Sequence, residues 1–294
     1  MIYLTGSSGF VGKSVVKYFG SNKIVKLKSG SYNLKDDAST VIHLAGKAHD
    51  IKNVSIPNEY YKVNTELTKE IFDMFLVSKA KIFITLSSVK AAADEIDGEL
   101  SEDVMPNPIT HYGKSKLLAE NYILSKPIPQ GKRVYILRPC MIHGPGNKGN
   151  LNLLYSIISN GIPWPLGMFE NSRSYLSIEN LCFIIKELVE REDIASGVYN
   201  VADDVPLSTN EVVNMIAESR GKNAKIWNIS KNLIRILARL GDFLKLPLNS
   251  ERLHKLTNSY VVSNSRIKLA ICMPLPVSSK DGLIRTFQSF SDNA

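Results

Sequence analysis

Along its first part the chain alternates short, continuous apolar runs with longer segments of helical period, and most of the apolar runs end in small or polar residues. Ile2-Tyr3-Leu4 is such a run; it passes into Thr5-Gly6-Ser7-Ser8-Gly9-Phe10-Val11-Gly12 and then into a helical segment, Lys13 to Phe19. Ile24-Val25-Lys26-Leu27 follows, then Thr40-Val41-Ile42-His43-Leu44-Ala45-Gly46, a helical segment from Tyr60 to Val77, and a run from Lys81 to Leu86 that delivers Ser87-Ser88 at its tip. Val134 to Leu137 is the next run, and Arg138 to Gly146 reads as a long turn after it. Continuous apolar runs mark strands covered on both faces, and their alternation with helices marks strands laid parallel by crossovers. The pattern predicts an α/β fold on a doubly wound parallel sheet, with His43 a packed strand histidine.

Beyond that turn the texture changes. Residues 147–174 are rich in Gly, Pro and Asn, and residues 203–294 read as helices with few buried strands, after a return to the sheet at Val198-Tyr199-Asn200-Val201. This places a nucleotide-binding domain over residues 1–165 together with about 175–202, and a smaller mixed α/β C-terminal substrate lobe over 146–174 and 203–294. Ser29 to Val41 is too short for a helix and a full strand, so that edge of the sheet must be abbreviated. Asp94 to Pro108, acidic and proline-containing, reads as a loop ahead of another helix.

Composition narrows the function classes. With 294 residues, 44% hydrophobic and 22% charged, the chain can bury a full core. No run approaches the roughly 18 apolar residues of a spanning helix, and the first residues enter a strand at once, so a cytoplasmic protein without membrane insertion is expected. Cys140, Cys182 and Cys272 have neither metal-ligand spacing nor an even disulfide framework and read as buried thiols; no metal site is expected. The net charge of +8 raises nucleic acid as a partner, but Lys and Arg are scattered through Lys23 to Lys35, Lys62 to Lys81 and Arg235 to Lys255. A nucleotide cofactor and an anionic substrate account for the surplus, with no nucleic acid.

The candidate chemistry begins at the first glycines. Strand, glycine turn and helix frame a dinucleotide fingerprint of Rossmann-like type: Gly6 for the tight turn, Gly9 for close approach of a pyrophosphate, Gly12 for helix packed on strand. An acidic residue about 20 positions on would hold the ribose of NAD. None is present there; Lys26, Lys28 and Ser29 occupy the region, which leans toward NADP with Lys28 at a 2′-phosphate, while solvated edge lysines remain the other reading. Tyr112-Gly113-Lys114-Ser115-Lys116 puts a phenol and an ammonium at i and i+4, on one helix face. A cation there would lower the phenol's pKa toward the range useful for proton transfer. Alone the spacing is that of an ordinary exposed helix, and Ser87-Ser88 alone that of a turn or cap.

Together, the glycine turn, Ser87-Ser88 and Tyr112 to Lys116 resemble the extended short-chain dehydrogenase/reductase family, in its nucleotide-sugar epimerase/dehydratase group. Asn64, Arg138-Pro139, Gly144-Pro145-Gly146 and Asn200-Val201-Ala202 fall in the family's order, and the resemblance covers nearly the whole chain. Lys148 to Leu151, Gly161 to Gly167, Asn171 to Ser174, Glu179-Asn180-Leu181 and Ser87 to Lys90 are similar to the branch that reduces UDP-linked 4-keto-6-deoxy-HexNAc sugars for surface polysaccharides, close to 4-epimerases.

The resemblance implies roles. Tyr112 is the acid/base, Lys116 binds the nicotinamide ribose and lowers the tyrosine pKa, Ser88 bonds the reacting oxygen, and Ser87 is the neighbour that could substitute. Gly6, Ser8, Gly9, Phe10 and Val11 line the pyrophosphate; Leu44, Ala45, Gly46, Lys47, Asn64 and Pro139 lie along the cofactor, with NADP slightly preferred over NAD. Asn150 and Arg173 meet the substrate's diphosphate, Trp164 or Pro165 packs on uracil, and Lys90 is a further substrate-binding residue. A homodimer through helices including Tyr60 to Val77 is also implied.

Several positions depart from the family pattern. Met141 stands at a common asparagine, His143 at a common tyrosine, and Ala91-Ala92-Ala93 at a tyrosine-glycine. Val89-Lys90 stands where a dehydratase carries an acidic pair. The expected activity is therefore hydride transfer at C4 of a UDP-sugar, as a keto-sugar reductase or as a 4-epimerase that retains NAD; a noncatalytic NADP sensor on the same fold is the rival of another class.

Overall fold

The computed structural model describes residues 1–27, 30, 32–47, 56–147, 149–244 and 249–291. In chain order the elements begin with β1 (Ile2–Thr5), α1 (Phe10–Phe19), β2 (Ile24–Lys26), β3 (Thr40–His43), α2 (Pro57–Tyr60), α3 (Leu67–Val77), β4 (Ile82–Leu86), β5 (Glu99–Leu100), α4 (His111–Leu124) and β6 (Arg133–Pro139). They continue through β7 (Met141–His143), α5 (Asn150–Ser159), β8 (Tyr175–Ser177), α6 (Ile178–Glu190), β9 (Gly197–Val201) and α7 (Thr209–Glu218). The last are α8 (Lys231–Leu244), α9 (Ser250–Thr257), β10 (Val261–Val262), α10 (Ser265–Ile271) and α11 (Ser279–Ser291).

Six strands form one parallel sheet in the order β2-β1-β3-β4-β6-β9. Successive residues of a strand face opposite sides, and the two apolar layers show it. Leu4, Ile42, Ile84 and Leu137 enter one layer with Val15, Leu181 and Ile185, while Tyr3, Val41, Phe83 and Ile136 enter the other with Ile71, Phe72 and Phe75. A third core joins Leu151, Leu154, Tyr155, Trp164, Val212, Ile216, Leu283 and Phe287 from α5, α7, α11 and the segment between. The strand order reverses between β1 and β3. Outside their carboxyl ends lies the switch-point crevice where such sheets hold ligands.

Three expectations change. Arg138 to Gly146 is not one long turn: β6 runs through Pro139, and Met141–His143 pairs in parallel with Tyr175–Ser177. The loop from Asp94 contains β5, which pairs with β10. Both pairings join pieces of two or three residues across long sequence separations, which leave no local period to read. Cys272 is exposed, unlike buried Cys140 and Cys182. Between β2 and β3 the described residues hold no helix, so the sheet edge is short, as the spacing required. The long segment from Tyr60 to Val77 is helical but carries one π-helical stretch, Tyr61–Glu66, ahead of α3.

Candidate active site

The turn after β1 is held by glycines that no other residue could replace without movement. Gly6 has φ of 69°, and a Cβ there would lie 2.6 Å from Ala45 N; a Cβ on Gly12 would lie 2.1 Å from Gly6 O. At Gly9 the same atom would meet only Gly6 O, at 3.4 Å, so the outer side of the turn is open. Above it sits the amino end of α1, ten residues long, with no acidic side chain in its first turn. Its free N–H groups and partial positive charge suit a diphosphate. Ser8 and Gly9 are exposed and Phe10 and Val11 half-buried, which fits a dinucleotide at this place. Lys28 lies outside the described residues.

The loop after β3 is tied to this turn by a buried relay. Ala45 N donates to Thr5 Oγ1 at 3.1 Å, and Thr5 Oγ1 meets His43 Nδ1 at 2.8 Å. His43 Nε2 meets Thr68 Oγ1 at 3.0 Å, which donates to Asn64 O at 2.8 Å. Because Thr68 spends its hydrogen on the carbonyl, His43 must donate from Nε2 and accept from Thr5 at Nδ1. Burial pushes the imidazole down to about 3, with Lys116 adding to the effect, so the ring is neutral. His43 is a packed strand histidine, as expected, but one that links both cofactor loops to the π-helical stretch.

That stretch aims Asn64. Its side chain accepts from Lys47 N at 2.8 Å and donates to Lys47 O and Ser115 Oγ, both at 3.1 Å. Single π turns recur where a helix must point one residue into a site. A Cβ on Gly46 would lie 3.1 Å from Lys116 Nζ and 3.2 Å from Asn64 Oδ1. Gly46, Asn64 and Lys116 therefore meet at the mouth of the crevice, beside half-buried Leu44 and Ala45. Lys47 Nζ pairs with Glu59. Pro139 is buried at the end of β6, opposite Val201.

The reacting group is presented by α4. Thr110 caps the helix by accepting from Gly113 N at 3.1 Å, and the Asp94 carboxylate accepts from Ile109 N, Thr110 N and Thr110 Oγ1. A Cβ on Gly113 would lie 2.3 Å from Lys90 O, so the bare backbone lets α4 press against the turn that follows Ser88. Ser88 and Tyr112 are hydrogen-bonded there. The Tyr112 ring packs edge-on to Tyr60, with centroids 6.1 Å apart.

The expected effect of Lys116 on the phenol is corrected. Burial raises Tyr112 above its ordinary value, outweighing the Ser88 hydrogen bond that favours ionisation. Lys116 Nζ donates to Leu86 O at 2.9 Å. Burial lowers Lys116 to about 8, with Glu120 opposing it. The sign of the resulting pH dependence follows. Lys116 ordinarily titrates at 10.5, so between about 8 and 10.5 the unfolded chain binds the extra proton and stability rises with pH. The penalty is fully present below about 8 and relieved by 10.5. In Lys116→Met, melting temperatures across this window should lose that rise; an identical pH profile would show that Lys116 does not titrate there.

Ser87, the neighbour offered as a substitute, is as buried as Ser88 and has another partner. It donates to Glu120 Oε1. Glu120 in turn takes a fork from Arg138, whose Nε lies 3.0 Å from Oε1 and whose Nη2 lies 2.5 Å from Oε2. This pair, with side chains 2% and 5% exposed, fastens α4 to β6 about two helical turns beyond Tyr112. Sequence reasoning missed Glu120, Asp94 and Gly113 as supports of the site; the heptad-like spacing of Lys116 and Glu120 was the one signal available.

On the substrate side the structure brings Lys90 and Arg173 together. Lys90 Nζ lies 4.3 Å from the Tyr260 ring centroid and donates to Asp94 O. Burial lowers Lys90; the charge of Asp94 opposes this more strongly than Arg173 adds to it, with Glu95 opposing and Lys255 adding further, so the three cations share their surroundings with two carboxylates. Arg173 pairs through its backbone with Leu207 and donates from its guanidinium to Lys255 O. Tyr260, unread in the sequence, fixes the turn after Ser88 by donating to Ala93 O at 2.6 Å. Asn150 is exposed at the start of α5. Trp164 is corrected: it is 4% exposed in the third core, with Nε1 donating to Asn210 Oδ1 at 3.0 Å, so its faces are not free to stack on a base. Its neighbour Pro165 is half-buried.

With this geometry in view, the likenesses to known proteins fall into one group. The model of the NAD dependent epimerase/dehydratase family matches residues 2–202, and the chain belongs to that family. A UDP-glucose 4-epimerase of Vibrio cholerae is 29% identical over 98% of this chain and 95% of its own. An N-acetyl-α-D-glucosaminyl-diphospho-ditrans,octacis-undecaprenol 4-epimerase of Escherichia coli O157:H7 is 28% identical over 91% of this chain and 84% of its own. The structure of UDP-glucuronic acid 4-epimerase from Bacillus cereus in complex with NAD superposes with a TM-score of 0.75 at 18% identity, covering 99% of this chain and 98% of that one, which shows the shared fold. The protein is an enzyme of the extended short-chain dehydrogenase/reductase type, an NAD(P)-dependent nucleotide-sugar epimerase or reductase.

Proposed function

We propose that the protein is a 4-epimerase of a diphosphate-linked N-acetylhexosamine, with a UDP-sugar as the first candidate substrate. The carrying observation is likeness along nearly the full length, substrate lobe included, to two 4-epimerases. It reverses the order in which the sequence placed reduction first. NAD would supply the acceptor and donor of hydride at C4. The chain's own residues do the rest. The Gly6 to Val11 turn and the start of α1 hold the diphosphate, and Gly46, Asn64 and Lys116 hold the nicotinamide ribose. Tyr112 Oη passes a proton to or from the C4 oxygen, and Ser88 bonds the same oxygen as its charge changes. The group of Lys90, Arg173 and Lys255 faces the substrate's diphosphate. The two relatives act on different sugars, a UDP-linked glucose and a polyprenyl-diphosphate-linked N-acetylglucosamine, and have the diphosphate link in common; Arg173→Ala should raise KM for the sugar diphosphate roughly ten- to a hundredfold with kcat little changed. An unchanged KM would remove Arg173 from the substrate.

Purified protein tests the reading. It should interconvert UDP-N-acetylglucosamine and its C4 epimer without added cofactor, or the polyprenyl-diphosphate sugar pair in detergent. Consumption of NADPH with a UDP-4-keto-6-deoxy-HexNAc, and no epimer formed with either carrier, would establish the reductase instead. That second reading is favoured by one observation: Lys26, and no acidic residue, stands at the carboxyl end of β2.

A further inference from the structure

Helix α8 carries an apolar face that the described residues leave uncovered. At about 100° per residue its side chains divide into three arcs. Ile234, Ala238 and Gly241 are buried against the lobe. Beside them Leu233, Ile236, Leu237, Leu240, Phe243 and Leu244 form a stripe roughly 120° wide, exposed by 49%, 54%, 44%, 51%, 87% and 60% in that order. The third arc holds Lys231, Asn232, Arg235, Arg239 and Asp242. Asp242 is occupied by the Ser250 N–H and hydroxyl. Arg235 and Arg239 have no acidic partner among the described residues.

A soluble helix ordinarily turns its apolar stripe inward. Here the buried arc is a separate one made of small or single contacts, and the widest apolar arc faces outward beside unpaired arginines. With 14 residues α8 is about 21 Å long, too short to cross a hydrocarbon core of about 30 Å, and no described helix is long and apolar enough to do so. An amphipathic helix with Leu and Phe on one face and Arg on its flank lies along a membrane interface. We propose that α8 docks flat on an anionic lipid surface, with Ile236, Leu240 and Phe243 entering the acyl boundary and Arg235 and Arg239 meeting lipid phosphates. Charge decides between lipid and a second copy. The chain carries +8 overall, and pairing two α8 faces would set like-charged arginine flanks together, whereas anionic lipid offers both an apolar layer and the opposite charge.

Sedimentation of the full chain with vesicles tests this. Vesicles of phosphatidylcholine with phosphatidylglycerol should carry the protein down, those of phosphatidylcholine alone should not, and added salt should weaken binding. Arg235→Gln with Arg239→Gln should lower the partition constant roughly thirtyfold, and Leu240→Ser with Phe243→Ser at least about tenfold. Circular dichroism should show both variants folded, since all four side chains are exposed. The proposal is overturned if the parent ignores anionic vesicles, if either folded variant sediments like the parent, or if Leu240→Ser with Phe243→Ser instead converts an oligomer to a smaller species on a sizing column.

Discussion

Tyr112→Phe should lower turnover roughly a hundred- to ten-thousandfold while leaving cofactor binding intact. The substitution removes one oxygen from a ring that stays packed against Tyr60. That oxygen is the group bonded to Ser88, at the tip of β4 and over the crevice between β1 and β3. Burial raises the phenol further above neutral pH; in oxidation its ionised form takes the proton of the C4 hydroxyl as hydride leaves C4, and in the reverse direction the phenol returns that proton to the C4 oxygen as hydride arrives. Thermal stabilisation by NAD or NADP, read against the parent, checks the fold, because a ligand of the native state raises apparent stability by mass action. Turnover equal to the parent's would remove Tyr112 from the reaction.

Glu120→Ala should destabilise the fold by about 3–5 kcal/mol, because it leaves the Arg138 guanidinium buried and unpaired. That is a large share of the roughly 5–15 kcal/mol by which domains are stable, and melting should fall on the order of 10 °C. Ser87 loses its acceptor as well. Replacing both ions, Glu120→Leu with Arg138→Met, should recover most of the loss, since buried pairs exchanged for apolar residues are often neutral. Recovery in the double variant identifies the stranded charge as the cause; a single variant as stable as the parent would show that the pair does not hold α4 to β6. Loss of Glu120 also withdraws the charge that opposes the lowering of Lys116, so in any folded variant the rise of stability with pH should begin at lower pH.

Much of the site was legible because it lies where local sequence dictates backbone. A strand, a glycine turn and a helix in succession place Gly6, Gly9 and Gly12 whatever the rest of the chain does, and a four-residue spacing places Tyr112 and Lys116 on one helix face. Trp164 shows the limit. An aromatic in a Gly- and Pro-rich segment reads as a platform, yet Asn210, which takes its indole N–H, comes from α7, distant in sequence. Arg138 to Gly146 failed for the same reason, its partner strand lying beyond α5.

The sequence by itself determined the parallel α/β architecture, the short sheet edge after β2, the strand–glycine turn–helix at the first strand and the placing of Tyr112 and Lys116 four apart on one helix, all of which rest on period and local backbone preference. Tertiary structure alone decided which serine faces the phenol, how Asn64 and Gly46 meet Lys116, that Tyr112 is raised rather than lowered, and that α8 turns its leucines outward. These depend on burial and on partners distant in sequence, and desolvation has no local signature: it is set by what the rest of the chain packs around a group.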